Sequence, residues 1–245
     1  MFPLKDNIPT ERAPFVTVAL IIANVLVYFL WQKGGLSIGS PAVEDHGQLT
    51  HYGLNLVQHG AIPCDLTTTC HIPQPHTWTT PFTAMFMHGG LLHLGGNMLF
   101  LWIFGNNVED AMGHVRYVAF YVLGGLAAFA LQIAVGPHSM APNIGASGAI
   151  AAVLGGYILL YPRARVLTLV FIILFFTVIE LPAFVVLGLW FAEQIAFGAS
   201  GLSQGGGSGG GVAYFAHIGG FAFGLLLIRA FARRVKQAPP RLPVW

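Results

Sequence analysis

The sequence predicts an all-α membrane protein whose chain crosses a lipid bilayer six times. Hydrophobic residues make up 55% of the 245 residues and charged residues only 8%, whereas a soluble domain carries about a quarter charged residues. The mean hydropathy is +0.70. Six apolar runs approach the roughly 20 residues that a membrane-spanning helix needs. They are Phe15–Trp31, Thr83–Phe104, Tyr117–Val135, Ser147–Tyr161, Pro182–Phe197 and Val212–Phe231.

Basic residues predict the orientation of these six helices. Arg163 and Arg165 follow the fourth run, and a cluster from Arg229 to Lys236 lies at the end of the sixth. Cytoplasmic loops carry an excess of Lys and Arg, so both groups are expected inside. An even number of crossings must separate them, namely the fifth and sixth helices. The same count places both the amino and the carboxyl terminus in the cytoplasm.

We expect a single membrane domain that covers residues 1–245. Its core is residues 15–231, flanked by short cytoplasmic tails at 1–14 and 232–245. The first run lacks a small-residue cleavage site, which favours a retained helix over a removed signal peptide. Basic residues form no face beyond the ends of the apolar runs, so nucleic-acid binding has no support. The expected surroundings are the lipid bilayer.

A further apolar stretch, Val166–Glu180, lies between the fourth and fifth runs. If it crossed the membrane, the basic residues before it and those after the sixth run would lie on opposite sides. We therefore expect this stretch to lie at the membrane surface or to re-enter the membrane part-way.

The long first external loop, Gly34–Thr80, contains the two cysteines of the chain. Cys64 and Cys70 can form a short disulfide in an oxidising exterior. Free thiols are one alternative. A zinc site that adds His71 and His76 is another, although the spacing matches no standard zinc motif.

A serine and a histidine begin two of the apolar runs. Gly145–Gly148, with the sequence Gly-Ala-Ser-Gly, begins the fourth run, and Ala216–Gly220, with the sequence Ala-His-Ile-Gly-Gly, lies just inside the sixth. Polar side chains in lipid are unfavourable and usually functional. The fourth run would be only about 22 Å long as a helix, against roughly 30 Å of hydrocarbon. Ser147 is therefore expected below the outer surface at the depth of His217, where small residues let the helices approach. This pattern predicts a serine nucleophile with a histidine base.

The second run adds two polar side chains on one helical face. His93 and Asn97 are four residues apart and so point in the same direction. Their N–H groups, with the backbone beside Gly145 and Ser147, are candidate donors to a developing oxyanion. His88 is off that face and is expected to support a loop.

No carboxylate lies near the histidine in sequence to complete a triad. Among the nine acidic residues, only Glu180 and Glu193 lie within apolar sequence. Glu180 is expected on the cytoplasmic side, and Glu193 near the outer end of the fifth helix. We therefore favour a Ser–His dyad over a Ser–His–Asp triad.

The His88…His93-xxx-Asn97 segment, the serine motif and the histidine motif, in this chain order on six spans, resemble the rhomboid family of intramembrane serine proteases. The resemblance covers residues 15–231 and implies a rhomboid-like bundle. It implies that Ser147 is the nucleophile, that His217 is the general base, and that His93 and Asn97 bind the oxyanion. It also implies single-span membrane proteins as substrates, cut near the outer membrane face without a metal or other cofactor.

Two further positions are compared with that family. Glu109 resembles a structural acid of the family, with Arg116 or the backbone as its expected partner. Family members often have an aromatic residue four positions after the nucleophile, stacked on the histidine, where this chain has Ala151. The candidate replacements are Phe215, Phe221 and Tyr157.

The predicted function is an intramembrane serine endopeptidase of the cell membrane, with its site open to the extracytoplasmic side. We expect substrates to approach beside the fifth helix, with the glycine-rich Gly198–Gly211 segment as a lid. One alternative is a catalytically inactive rhomboid-like protein that binds membrane clients. Another is a transporter that uses Glu180, Glu193 and histidines as an ion path.

Overall fold

The computed structural model describes residues 1–36, 50–72, 77–172, 175–203 and 212–235. These residues form a helical bundle with a small antiparallel sheet where the fourth predicted span ends. The prediction of a purely α-helical fold is therefore wrong in one respect, although helices form most of the described chain.

Ten α-helices are present in the described ranges. In chain order they are α1 (Phe15–Leu26), α2 (His51–His59), α3 (Pro63–Leu66), α4 (Thr80–Thr83), α5 (Leu91–Phe100), α6 (Asn106–Met112), α7 (His114–Val135), α8 (Ser147–Leu160), α9 (Ala183–Ser203) and α10 (Tyr214–Phe231). A π-helical turn at Val27–Trp31 extends α1, and another at Leu101–Gly105 joins α5 to α6. Short 3₁₀ turns occur at Thr77–Thr79 and Ala84–Phe86.

Three of the described helices are long and apolar enough to cross a membrane: α7, α9 and α10. Two shorter apolar helices correspond to the predicted first and fourth spans, Phe15–Trp31 and Ser147–Leu160. The core of the bundle surrounds α8, of which most residues are buried. The chain is thus a membrane protein with transmembrane helices.

The predicted second span begins later than expected. The chain from Thr80 to Phe86 forms separate short turns, and the continuous helix starts at Leu91. Gly90 separates the two parts with a φ of 151°, a conformation that a residue with a side chain rarely adopts. The sequence did not predict this interruption of the helix, because the segment is apolar on both sides of it.

The stretch expected at the membrane surface is a β-hairpin. Strands β2 (Arg165–Ile172) and β3 (Phe175–Pro182) pair antiparallel, and β1 (Phe2–Asp6) adds to the other edge of β2. The segment is rich in β-branched and aromatic residues, which favour strands. An unbroken apolar run does not distinguish a strand from a buried helix by periodicity, so the sequence did not reveal the hairpin. The expectation that Val166–Glu180 lies at the membrane surface or re-enters the membrane part-way stays a prediction.

Asp6 connects this sheet to the helices. Its Oδ2 accepts hydrogen bonds from the Tyr157 hydroxyl of α8 and from the Asn107 side-chain amide of α6, at 2.5 and 2.6 Å. Burial raises the pKa of Asp6 to about 6, against the lowering effect of the Tyr157 hydrogen bond. The amino-terminal segment is therefore a packed part of the fold and not a simple tail.

Glu109 joins α6 to the start of α1. It is 1% exposed, and its carboxylate accepts hydrogen bonds from the backbone N–H groups of Val16 and Thr17 at 2.9 and 2.8 Å. These are first-turn donors without intrahelical acceptors. His114 Nδ1 lies 2.6 Å from the same carboxylate. Of the two expected partners the backbone is the one found, and Arg116 instead donates to the Phe231 carbonyl oxygen.

The two cysteines of the first loop form a disulfide, Cys64–Cys70. Within the loop that it closes, the Thr67 hydroxyl donates to the Pro137 carbonyl oxygen at 2.8 Å, in the connection between α7 and α8. Neither cysteine is a free thiol. Of the histidines considered for zinc, His76 lies outside the described residues.

Candidate active site

The structure brings Ser147 and His217 into direct contact. Ser147 is the first residue of α8, and His217 lies in the first turn of α10. The Ser147 Oγ and the His217 Nε2 are 2.8 Å apart, although the two residues are 70 positions apart in sequence. This separation is that of a hydrogen bond between a nucleophile and a base.

Glycines allow α8 and α10 to pack backbone against backbone. A Cβ atom at Gly220 would overlap the Gly148 carbonyl oxygen, and one at Gly224 would overlap the Ala152 carbonyl oxygen. A Cβ atom at Gly155 would overlap the Phe221 carbonyl oxygen in the reverse direction. Such close approach is characteristic of small residues at helix interfaces in membranes, and it sets the distance between the serine and the histidine.

The segment that leads into Ser147 is held from two sides. The Gly145 N–H donates to the Ala84 carbonyl oxygen at 2.8 Å, and Asn143 forms an isolated antiparallel bridge with Ala61 of the first loop. Gly145 has a φ of 122°, which favours glycine. The turn that precedes the serine is therefore fixed by backbone hydrogen bonds to two other segments.

His93 lies beside the backbone of this turn. A Cβ atom at Gly145 would be 2.8 Å from the His93 Nε2. The Gly89 N–H donates to the His93 Nδ1 at 3.1 Å. Since Nδ1 accepts, the proton of the neutral ring is on Nε2, which then serves as a donor near the serine.

Asn97 supplies a second donor in the same region. It is 8% exposed, and its buried Nδ2 has no hydrogen-bond partner among the described residues. An unpaired buried amide is unfavourable unless it has a functional partner at some stage. Asn97 and His93 both line the cavity that contains Ser147 and His217.

That cavity has a volume of about 670 Å³. Its described lining is mainly apolar, and none of the lining residues is Asp, Glu, Lys or Arg. Negative charge formed beside this mainly apolar lining would be stabilised by N–H dipoles. The arrangement fits acyl transfer through an oxyanion.

The sequence interpretation missed two contacts of the histidine, both from α9. The His217 Nδ1 lies 2.8 Å from the Gln194 Oε1, and the Trp190 ring is 5.7 Å from the imidazole, centroid to centroid. Trp190 is thus the aromatic residue beside the histidine ring, a role predicted for Phe215, Phe221 or Tyr157. Phe221 stacks on Phe191 instead. The available clue was an amide, Gln194, within an apolar run.

The two carboxylates that occur within apolar sequence, Glu180 and Glu193, lie away from the site. Glu193 is exposed on α9 and does not line the cavity. Glu180 is on β3, where its carboxylate is 3.9 Å from the Arg165 guanidinium. The predicted lid, Gly198–Gly211, is helical as far as Ser203, and its remaining residues, 204–211, lie outside the described ranges.

Comparison with known proteins identifies the class of this fold and site. The family model described as the Rhomboid domain matches residues 75–234, which is more than half of the chain. The matched region contains the serine, the histidine and both candidate oxyanion donors. The chain belongs to the rhomboid family.

Individual relatives are similar over part of the chain. Rhomboid protein 1, mitochondrial, of Saccharomyces cerevisiae is 32% identical over 153 residues, which is 58% of this chain and 39% of the yeast protein. The presenilin-associated rhomboid-like protein, mitochondrial, of Mus musculus is 28% identical over 171 residues, 66% of this chain and 41% of the mouse protein. Rhomboid protease GluP of Bacillus subtilis is 31% identical over 142 residues, 58% of this chain and 24% of that protein. This chain spans less than half the length of these relatives.

Proposed function

We propose that this protein is an intramembrane serine endopeptidase that cleaves single-span membrane proteins near the outer face of the membrane. The observation that carries the proposal is the hydrogen bond between the Ser147 Oγ and the His217 Nε2, 2.8 Å apart. The contact lies in an apolar cavity that also contains two candidate oxyanion donors. A nucleophile, a base and donors in one cavity are the components of acyl transfer.

The first half of the reaction forms an acyl-enzyme. His217 Nε2 accepts the hydroxyl proton as the Ser147 Oγ attacks the scissile carbonyl carbon, and a tetrahedral oxyanion results. The protonated histidine then gives its proton to the leaving amine, and the C–N bond breaks. The amino-terminal part of the substrate remains as an ester of Ser147.

The oxyanion is stabilised by donors already in place. Asn97 Nδ2 has no other described partner, and the His93 Nε2 proton is directed by the contact at Nδ1. The backbone N–H of Ser147, in the first turn of α8, adds a third donor. Each preorganised donor is worth about 3 kcal/mol of transition-state stabilisation.

Water completes the cycle. His217 takes a proton from one water molecule, the resulting hydroxide attacks the ester, and the proton returns to the Ser147 Oγ as the ester bond breaks. The net reaction consumes one water and forms a carboxylic acid and an amine, so its atoms balance without a cofactor.

Six membrane spans with both termini in the cytoplasm form part of the proposal. The spans are α1 with its π turn, α5 to α6, α7, α8, α9 and α10. Ser147 begins α8, whereas Arg163 and Arg165 follow its other end, which supports a site on the side opposite the basic residues. The Cys64–Cys70 disulfide is in a loop on the serine side, as expected for an oxidising exterior.

We propose the cell membrane as the location, with the site open to the extracytoplasmic side. The names of some relatives include the word mitochondrial. That word describes the location of those relatives. The disulfide supports any compartment that keeps thiols oxidised on the serine side of the membrane.

A transmembrane substrate is proposed because the site lies among apolar helices. Helix α9 presents exposed apolar side chains, among them Leu189 and Ile195, and it also supplies the two side chains that contact His217. A substrate segment that approaches beside α9 must unwind, because backbone carbonyls within a helix are already hydrogen-bonded. Segments with helix-breaking residues near the outer face are the expected sites.

The remaining candidate functions have less support. An inactive client-binding protein would not need the Ser147–His217 contact, and that contact is present. In an ion path the carboxylates of Glu180 and Glu193 would face a common passage, whereas Glu180 is on the β-hairpin and Glu193 is exposed on α9.

Cleavage in liposomes tests the proposed function. Purified protein and a single-span test substrate are reconstituted together, and the products are separated and sequenced by mass spectrometry. We expect one cut near the outer face, abolished by Ser147→Ala and by His217→Ala. Ser139→Ala and His138→Ala, in the preceding connection, are the matched controls and should retain activity. Equal cleavage by all four variants, or none by folded wild-type protein, would overturn the proposal.

A further inference from the structure

The contact that orients the histidine comes from an amide. Gln194 is 5% exposed, and its Oε1 lies 2.8 Å from the His217 Nδ1. The other ring nitrogen, Nε2, is the one that faces Ser147. The imidazole is thus held between a serine of α8 and a glutamine of α9.

A second hydrogen bond determines which way the Gln194 amide points. Its Nε2 lies 3.2 Å from the Trp190 carbonyl oxygen, one helical turn earlier. A carbonyl oxygen only accepts hydrogen bonds, so the NH₂ group must face it. The reversed amide would place two oxygens together and would direct the NH₂ group at His217. The hydrogen-bond network therefore assigns Oε1 to the histidine.

This orientation determines the tautomer of the base. Because Oε1 only accepts, the His217 Nδ1 must carry the proton of the neutral ring. The lone pair is then on Nε2, 2.8 Å from the Ser147 Oγ. We propose that Gln194 is the positioning residue of this site, which holds His217 in the Nδ1–H tautomer and stabilises the imidazolium formed during attack. The inference rests on the proposed serine-endopeptidase function.

The apolar environment of the site explains why an amide, rather than the carboxylate that soluble enzymes use, accepts the hydrogen bond from the histidine. A buried carboxylate is strongly unfavourable in an apolar site unless it is fully paired. The Gln194 amide accepts from the histidine without carrying charge, and the Trp190 ring contacts the same imidazole. Glu193, the adjacent residue, is on the exposed side of α9, so the acid stays outside while the amide faces the site.

Two substitutions of Gln194 test whether its side chain orients His217 or only packs against it. Gln194→Met keeps the length of the side chain and removes the acceptor, whereas Gln194→Glu keeps an acceptor and adds charge. Gln132→Met is the matched control, because the Gln132 Oε1 accepts from the Ala216 N–H at 3.1 Å, one residue before the histidine. The Gln132→Met variant removes a hydrogen bond to α10 next to His217, but it removes no contact of the imidazole itself.

The experiment measures kcat and KM for cleavage in liposomes, together with the rate at which a fluorophosphonate labels Ser147. For Gln194→Met we expect both kcat and the labelling rate to fall about 10- to 100-fold, the effect of one lost hydrogen bond to a charged group, with little change in KM. Gln194→Glu should retain more of kcat than Gln194→Met, because one carboxylate oxygen still accepts from the His217 Nδ1, but less than the wild type, because the other oxygen then faces the Trp190 carbonyl oxygen. Its loss of activity on the acid side should begin at higher pH than in the wild type, because a carboxylate favours the imidazolium. Gln132→Met should keep the wild-type pH profile.

The outcomes distinguish this inference from the function on which it rests. Wild-type kcat and pH profile in Gln194→Met, with an active wild-type protein, would overturn the positioning role and leave the protease proposal intact. Wild-type protein without cleavage or labelling would overturn the protease proposal itself. If Gln194→Met does not fold, Gln194→Glu decides alone. A shifted acid limb supports the role, and an unchanged one contradicts it.

Discussion

Gly220 of α10 lies directly against the backbone carbonyl of Gly148 in α8. Gly148 follows Ser147, and Gly220 is three residues after His217, so this contact is less than one helical turn from both proposed catalytic residues. The close approach of the two backbones therefore determines the separation of the helices that carry Ser147 and His217.

A methyl group at this contact should separate the pair. Gly220→Ala would force α8 and α10 apart, because the obstructing atom is backbone and cannot rotate away. Overpacking of this kind costs about 1 to 3 kcal/mol. We expect a lower melting temperature in detergent and at least a tenfold loss of Ser147 labelling. Gly188→Ala on α9 is the control, because nothing lies within 4 Å of its added Cβ atom. Equal labelling by both variants would contradict the role of the contact.

The disulfide should stabilise the protein without taking part in the chemistry. A loop closed by Cys64 and Cys70 has few residues, and the expected stabilisation is about 2 kcal/mol. This corresponds to a fall of about 4 to 8 °C in melting temperature for a chain of this size. The double variant Cys64→Ser/Cys70→Ser should show that fall and become insensitive to reductant, while it still reacts at Ser147 in the cold. Unchanged melting of wild-type protein in reductant would argue against the bond.

Asp6 should make stability depend on pH. Burial raises its pKa to about 6 from an ordinary value of 3.8, so the folded state binds the proton more tightly than the unfolded state. This contribution is fully present below about pH 4 and is lost as the pH rises through about 6. We expect the melting temperature to fall between pH 5 and pH 7.5, and the fall to be smaller in Asp6→Asn. An identical slope in both proteins would show that Asp6 does not cause it.

Glu109 should be essential for the attachment of α1. In Glu109→Gln one of the two accepting oxygens becomes an NH₂ group, which would face the N–H donors of Val16 or Thr17. Leaving buried donors unpaired should destabilise the protein by about 3 kcal/mol. The comparison is Glu193→Gln, at an exposed position, which should unfold like the wild type. Unfolding curves in mild detergent measure the difference, and equal curves would show that the carboxylate is not required.

The sequence predicted the candidate site better than it predicted the elements around it. Ser147, His217, His93 and Asn97 stand out because polar groups are rare in apolar runs, and they line one cavity. Gln194 was not predicted, because the usual partner of a catalytic histidine is a carboxylate and Gln194 is a neutral amide. Its orientation also depends on the rotation of α9, which an almost uniformly apolar helix does not reveal.

The β-hairpin was missed for a different physical reason. Val166–Glu180 is apolar on both faces, so it shows neither the alternation of a half-exposed strand nor a helical stripe. Its pairing with Phe2–Asp6 joins segments more than 150 residues apart, which local propensity cannot predict. The close approach of α8 and α10 was easier to predict from the sequence, because glycines at helical spacing indicate close helix packing.

The most direct measurement of the central claim is covalent labelling of the serine. Folded wild-type protein in detergent is treated with a fluorophosphonate, digested and examined by mass spectrometry. We expect one adduct, on Ser147, none on this peptide in Ser147→Ala, and labelling at least 100-fold slower in His217→Ala, since the histidine activates the hydroxyl. An adduct that forms at the wild-type rate in His217→Ala, or the absence of labelling at Ser147 in protein shown to be folded, would contradict the Ser–His mechanism.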